Sequence, residues 1–101
     1  MPSLNITFDR SRLRQLCQHW EISELALFGS VLRDELRPES DVDLLVSFAP
    51  SARTSYWDWP ELTRDLQGVF GREIDLVVKD GLKNPFRKHE ILSTAQVIYA
   101  A

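Results

Sequence analysis

The sequence is poor in cysteine: Cys17 stands alone among 101 residues, so no disulfide can form within the chain. A lone thiol suits a reducing compartment, and the expectation is a cytoplasmic protein. Positive charge is also short, with 12 lysines and arginines against 15 acids and a net charge of −3. A broad, sequence-independent grip on nucleic acid is therefore not expected, because such binding comes from neutralising phosphates. Long hydrophobic runs are missing too. No window is apolar enough to span a bilayer, and Met1 to Asn5 has neither the basic flank nor the apolar core of a signal peptide. Internal repeats and low-complexity tracts are absent. What remains is an ordinary globular balance, 44% hydrophobic and 27% charged. The length suits one small domain over residues 1–101 with one hydrophobic core.

Hydrophobic spacing divides the chain into alternating elements. Asp9 is placed to cap a first helix running to about Trp20, with Leu13, Leu16, Cys17 and Trp20 as its inward stripe. Glu21-Ile22-Ser23 reads as a link, and Leu25 to Phe28 as a buried strand that stops at Gly29-Ser30. Val31 to Leu36 reads as a short helix, and Arg37-Pro38-Glu39-Ser40 as a turn. Asp41 to Phe48 is the second strand. Alternation puts Val42, Leu44 and Val46 on one face and Asp41, Asp43, Leu45 and Ser47 on the other. A loop over residues 49–55 follows.

Asp58 and Glu61 have the spacing of a capping box at the start of a helix whose stripe is Trp59, Leu62, Leu66, Val69 and Phe70. Gly71 ends it. Glu73 to Val78 is a third strand, with Ile74, Leu76 and Val78 on one face and Glu73, Asp75 and Val77 on the other. Asp80-Gly81 is a turn. Asn84-Pro85 opens a last helix to about Leu92, and Gln96 to Tyr99 forms a final strand. Strands alternating with helices predict an α/β (α+β) fold, a small mixed or parallel sheet with helices packed on it.

Two carboxylates, Asp41 and Asp43, sit one residue apart where the second strand begins, so both point to the same side. Asp75 holds the same position in Glu73-Ile74-Asp75-Leu76-Val77-Val78. If these strands are neighbours, three carboxylates meet in one place. Like charges so close repel, and a divalent cation is the natural compensation, Mg²⁺ or Mn²⁺ by the preference of hard ions for oxygen. Two such ions clamp the attacking and leaving oxygens of an in-line phosphoryl displacement. Upstream, Phe28-Gly29-Ser30-Val31-Leu32-Arg33 offers a second component. Glycine after a strand permits close backbone approach, and the helix that follows presents free N–H groups and its positive dipole end to a phosphate. Ser30 adds a hydroxyl, and Arg33, one turn on, adds a fork of donors. Ser40 reads as a turn residue that orients Asp41.

Gly29-Ser30, Arg33, Ser40-Asp41-Val42-Asp43-Leu44-Leu45-Val46 and Ile74-Asp75-Leu76 together resemble the nucleotidyltransferase superfamily that shares the DNA polymerase β catalytic fold. The size resembles its minimal nucleotidyltransferase (MNT) domains, which are commonly antitoxins paired with a helical HEPN-domain toxin ribonuclease. The motifs cover Leu25 to Val78. One departure is visible: glycine often follows the arginine, and here Asp34 follows Arg33. The resemblance implies transfer of AMP from ATP to a hydroxyl of a partner toxin, within a hetero-oligomer. Asp41 and Asp43 would bind two Mg²⁺ ions and Asp75 one of them. Gly29 and Ser30 would hold the β- and γ-phosphates, with Arg33 and Ser40 close to the nucleotide. Two other functions fit the same residues: an antitoxin that works by occlusion alone, and a nucleotidyltransferase acting on a small molecule or RNA.

Several residues carry plainer expectations. Cys17 reads as core, and His19 and His89 as surface. Tyr56, Trp57 and Trp59 read as core or helix-entry packing, with a partner-binding patch as the minority reading. Glu73 reads as a solvated charge, though it shares a face with Asp75. Lys79, Lys83, Arg87 and Lys88 form a basic cluster that is either a solvated face or a contact for phosphate or RNA.

Overall fold

Local chemistry decides where each helix starts and stops. The computed structural model describes residues 8–29, 41–54 and 56–101. Helix α1 spans Arg10–His19 and begins where Asp9, in extended backbone, accepts a hydrogen bond from the Arg12 N–H at 3.1 Å. Helix α2, Trp59–Phe70, ends at Gly71, whose φ of 68° is the left-handed conformation that closes a helix. Its N–H donates to the Gln67 carbonyl at 2.7 Å. Helix α3, Pro85–Thr94, starts at Asn84, whose side chain accepts from the N–H groups of Phe86 and Arg87 at 3.0 and 3.2 Å. It runs two residues beyond the expected Leu92. The capping box expected at Asp58 does not form. Asp58 closes a 3₁₀ turn, Tyr56–Asp58, and its helical backbone (φ −83°, ψ −10°) holds the side chain out of the extended geometry a cap requires.

Four strands form one mixed sheet in the order β3-β2-β1-β4: β1 Ile22–Phe28, β2 Val42–Phe48, β3 Ile74–Val78 and β4 Gln96–Ala100. Strand β1 pairs antiparallel with β2 and β4, while β2 and β3 run parallel, joined through α2. The mixed α/β architecture matches the sequence expectation. Strand β1 begins earlier than the spacing suggested, because the supposed link at Ile22-Ser23 is already paired. Ile22 lies opposite Phe48 and Glu24 opposite Ser47, so Ser23 is an extra residue in a bulge. That extra residue flips the parity. Ile22 therefore joins Leu25 and Leu27 in the same core, and a period-two reading misses it. Glu21, the true link, has φ 57°.

The sheet separates two apolar clusters. On one face, Leu13, Cys17 and Trp20 of the α1 segment and Leu62, Leu66, Val69 and Phe70 of α2 pack on Leu25, Leu27, Val42, Leu44 and Val46. Trp20 Nε1 donates to Asp65 Oδ2 at 3.0 Å and ties α1 to α2. Burial pushes the Cys17 thiol pKa up to about 12, which bears out its reading as core. On the other face, among the described residues, Ala26, Phe28 and Leu45 meet Ile91 of α3, with Val77, Leu82 and Ala95 at the edge. Alternation along β2 and β3 is as expected: the even residues are core on the α1–α2 side, and Asp43, Leu45, Asp75 and Val77 face the α3 side.

Of the aromatic residues before α2, Trp59 packs against the larger cluster. Trp57 does not: it is 91% exposed, which corrects its reading as packing. The side chain of Tyr56 lies outside what is described. His19 and His89 are exposed, as expected. Among the described residues no helix is long and apolar enough to cross a membrane.

Candidate active site

Parallel pairing of β2 with β3 meets the condition on which the carboxylate argument rested. Asp43 lies directly opposite Asp75 in the register, flanked by Val42 opposite Ile74 and Leu44 opposite Leu76. Both side chains leave the sheet on the α3 side, where they line one cavity of about 250 Å³. Asp41 stands one residue before β2 on the same parity and is exposed. The Val42 N–H donates to the Glu73 carbonyl at 2.8 Å, which starts the strand pairing at the residue after Asp41. Asp41 does not line the cavity. Among the described residues, no three carboxylate, histidine or cysteine side chains stand close enough to hold a metal ion by themselves. The structure thus brings two of the three acids together and leaves the third at the entrance to the strand.

Gly29 is the next component, and the geometry shows why it is glycine. It follows Phe28, which pairs with Asp43 across β1 and β2. Its φ is 75°, a left-handed conformation that L side chains rarely adopt. A Cβ there would also overlap the Asp43 carboxylate, lying 3.1 Å from its Cγ. The close approach that glycine permits is therefore first to an acid of the site itself. Ser30, Arg33, Ser40, the helix expected over residues 31–36 and the turn over residues 37–40 lie outside the described residues.

The end of the sheet supplies Phe28, Gly29, Asp43 and Asp75 to the cavity, and one face of α3 supplies Arg87, Glu90, Ile91 and Thr94. The α3 residues recur three or four apart, so they form one stripe along the helix. Sequence reasoning did not place this wall. Arg87 was visible only as one of four cations, and the single apolar anchor, Ile91, gave no stripe to read. Glu73 stays outside the cavity, exposed, and accepts a hydrogen bond from Gln67 Nε2 at 3.0 Å. Lys79 pairs with Glu24 at 3.7 Å.

The donors present fit a hard divalent cation. Asp43 and Asp75 are carboxylates fixed opposite each other on neighbouring strands, beside a turn that has no room for a side chain. Asp41 is near enough in sequence to join them on the same side of the sheet.

Comparison with known proteins identifies the family and the fold. Residues 10–98 match the model of a family described as the nucleotidyltransferase domain. The protein adenylyltransferase MntA of Thermococcus cleftensis is 35% identical over 75 residues, which is 74% of this chain and 74% of that protein. A solved structure provisionally described as a minimal nucleotidyltransferase is 33% identical, with a TM-score of 0.69 and 86% of each chain covered. A chain from the complex of the tri-AMPylated Shewanella oneidensis HEPN toxin with its MNT antitoxin superposes with a TM-score of 0.62. That match covers 91% of this chain and 70% of the other at 16% identity, and is a likeness of fold.

Proposed function

This chain belongs to the nucleotidyltransferase domain family, in its minimal form, and from that premise we propose that it transfers AMP from ATP to a hydroxyl of a HEPN-type toxin and so acts as an antitoxin. The observation that carries the proposal is the pairing of Asp43 with Asp75 beside the Gly29 turn. A protein adenylyltransferase among its relatives, and a toxin of the HEPN class that carries AMP in complex with an MNT antitoxin of the same fold, support the choice of substrate and partner.

Asp41 and Asp43 would hold two Mg²⁺ ions and Asp75 would share one of them. When bound, these ions neutralise the triphosphate and stabilise the charge that develops on the attacking and leaving oxygens. The remaining work belongs to the chain. Gly29 and Ser30 would hold the β- and γ-phosphates, with Arg33 adding hydrogen bonds to them. Ser40 orients Asp41. The acceptor oxygen bonds to the α-phosphorus while the bond from that phosphorus to the bridging oxygen of the β-phosphate breaks, and pyrophosphate leaves. Asp75 would help activate the acceptor hydroxyl by taking up its proton. The acceleration comes mainly from alignment and prearranged charge. The partner, in a hetero-oligomer, supplies the acceptor surface.

The test is incubation of the full chain with ATP labelled at the α-phosphate, Mg²⁺ and the partner toxin. Wild type should label the toxin and Asp43→Asn should not. An unlabelled toxin, or labelling unchanged in Asp43→Asn, would remove the catalytic reading. If the toxin were still neutralised by the Asp43→Asn protein, occlusion would replace transfer as the mechanism.

A further inference from the structure

The four basic residues that follow β3 are not equivalent. Lys79 is held at Glu24, and Lys83 and Lys88 are exposed. Arg87 is the member of the group that lines the cavity with Asp43 and Asp75. Two features fix it there. Its backbone N–H is tied to the Asn84 cap, which sets the start of α3. One turn further, Ile91 is buried against Phe28, Ala26 and Leu45, which turns this side of the helix toward the sheet.

Arg87 shares its cavity with three carboxylates, Asp43, Asp75 and Glu90, yet among the described residues it forms no ion pair and no side-chain hydrogen bond. A guanidinium keeps its charge at any physiological pH and presents a planar fork of N–H donors that matches two phosphate oxygens. A triphosphate entering a cavity walled by acids needs fixed positive charge as well as metal ions. A neutral acceptor hydroxyl needs none. On the reading of the function given above, we propose that Arg87 binds the triphosphate of the nucleotide from the α3 wall, opposite the Gly29 turn. Helix α3 then forms part of the nucleotide site, and the cation reads phosphate and not the acceptor.

The test is calorimetric titration of the full chain, without any partner, with Mg²⁺-ATP and with adenosine. Arg87→Gln should weaken ATP binding about 10- to 100-fold, the range for losing a charge-assisted bidentate contact, and should leave adenosine binding unchanged. Arg87→Lys should recover part of the loss, since it restores charge without the fork. Unaltered ATP affinity in Arg87→Gln with transfer reduced would overturn the proposal and turn Arg87 toward the acceptor. Equal losses for ATP and adenosine would also overturn it, by showing a structural role. Wild type that fails to bind ATP would sink the proposed function itself, and this inference with it. Arg87 is exposed at the helix surface, so a thermal melt distinguishes misfolding from lost contact.

Discussion

The two faces of the sheet are built for different ends. The α1–α2 face is closely filled, with Leu13, Cys17, Leu25, Leu27, Leu44, Leu62 and Leu66 at most 1% exposed. Among the described residues the α3 face buries Ala26, Phe28, Leu45 and Ile91, and the same strands that fill the first face send Asp43 and Asp75 out of the second. Alternation makes this division unavoidable. Every second residue of β2 and β3 is committed to the core, which frees the others for charge without weakening the strands. On the proposed function, stability rests on one side and chemistry on the other, and a substitution should disturb one far more than the other.

The strongest way to break that contrast is at the acids. Asp43→Asn should lower AMP transfer by roughly 10³-fold or more, beyond the ~10–100-fold typical of groups that only support a ligand. Its melting temperature should stay close to wild type, measured by circular dichroism on the same preparation. A large drop in both would show that Asp43 is structural.

The packing contrast is tested by paired truncations. Leu44→Ala, on the filled face, should cost about 3–5 kcal/mol in denaturant unfolding, as for buried leucines that leave a cavity. Ile91→Ala should cost about 2 kcal/mol, the low end for buried aliphatic side chains, because among the described residues its cluster is the smaller one. Equal costs would erase the distinction. Ile91→Ala should reduce ATP affinity as well, by loosening the wall that carries Arg87.

A third test uses pH. The Cys17 thiol is raised from 9.0 to about 12 in the folded chain, so the folded state keeps a proton that the unfolded state gives up. Its stabilising contribution is complete below pH 9 and is lost as pH rises toward 12, with a slope of up to about 1.4 kcal/mol per pH unit. The gap in unfolding free energy between wild type and Cys17→Ala should narrow over that window. A gap independent of pH would show that the filled face admits water. The smallest effect belongs to Trp57, 91% exposed: Trp57→Ala should change stability by less than about 0.5 kcal/mol in the same assay.

Much of this arrangement is legible in the amino-acid sequence. The alternation of Val42, Leu44 and Val46 against Asp43 and Leu45 gave both faces of β2, and Asp9 and Gly71 marked helix ends because capping is a local interaction. The pairing of Asp43 with Asp75 could be stated only conditionally, since strand adjacency is not a local property. The bulge at Ser23 was invisible for a related reason: an extra residue shows only when a partner strand is laid beside it. Asp58 had the right spacing for a cap, but a preceding 3₁₀ turn set its backbone otherwise. Trp57 looked like core on hydrophobicity alone. Arg87 could not be separated from Lys79, Lys83 and Lys88, because its direction depends on how Ile91 seats α3 against the sheet.

The central claim is that a nucleotide and its metal sit on the α3 side of the sheet, at the start of β2 and β3. Paramagnetic line broadening by Mn²⁺-ATP in a ¹⁵N-resolved spectrum tests it most directly, because the effect falls steeply with distance from the ion. The account predicts broadening centred on the amides of Gly29, Asp41, Asp43 and Asp75, weaker along α3, with α1 and Trp57 left sharp. Broadening centred on the α1–α2 face, or none at saturating Mn²⁺-ATP, would contradict it.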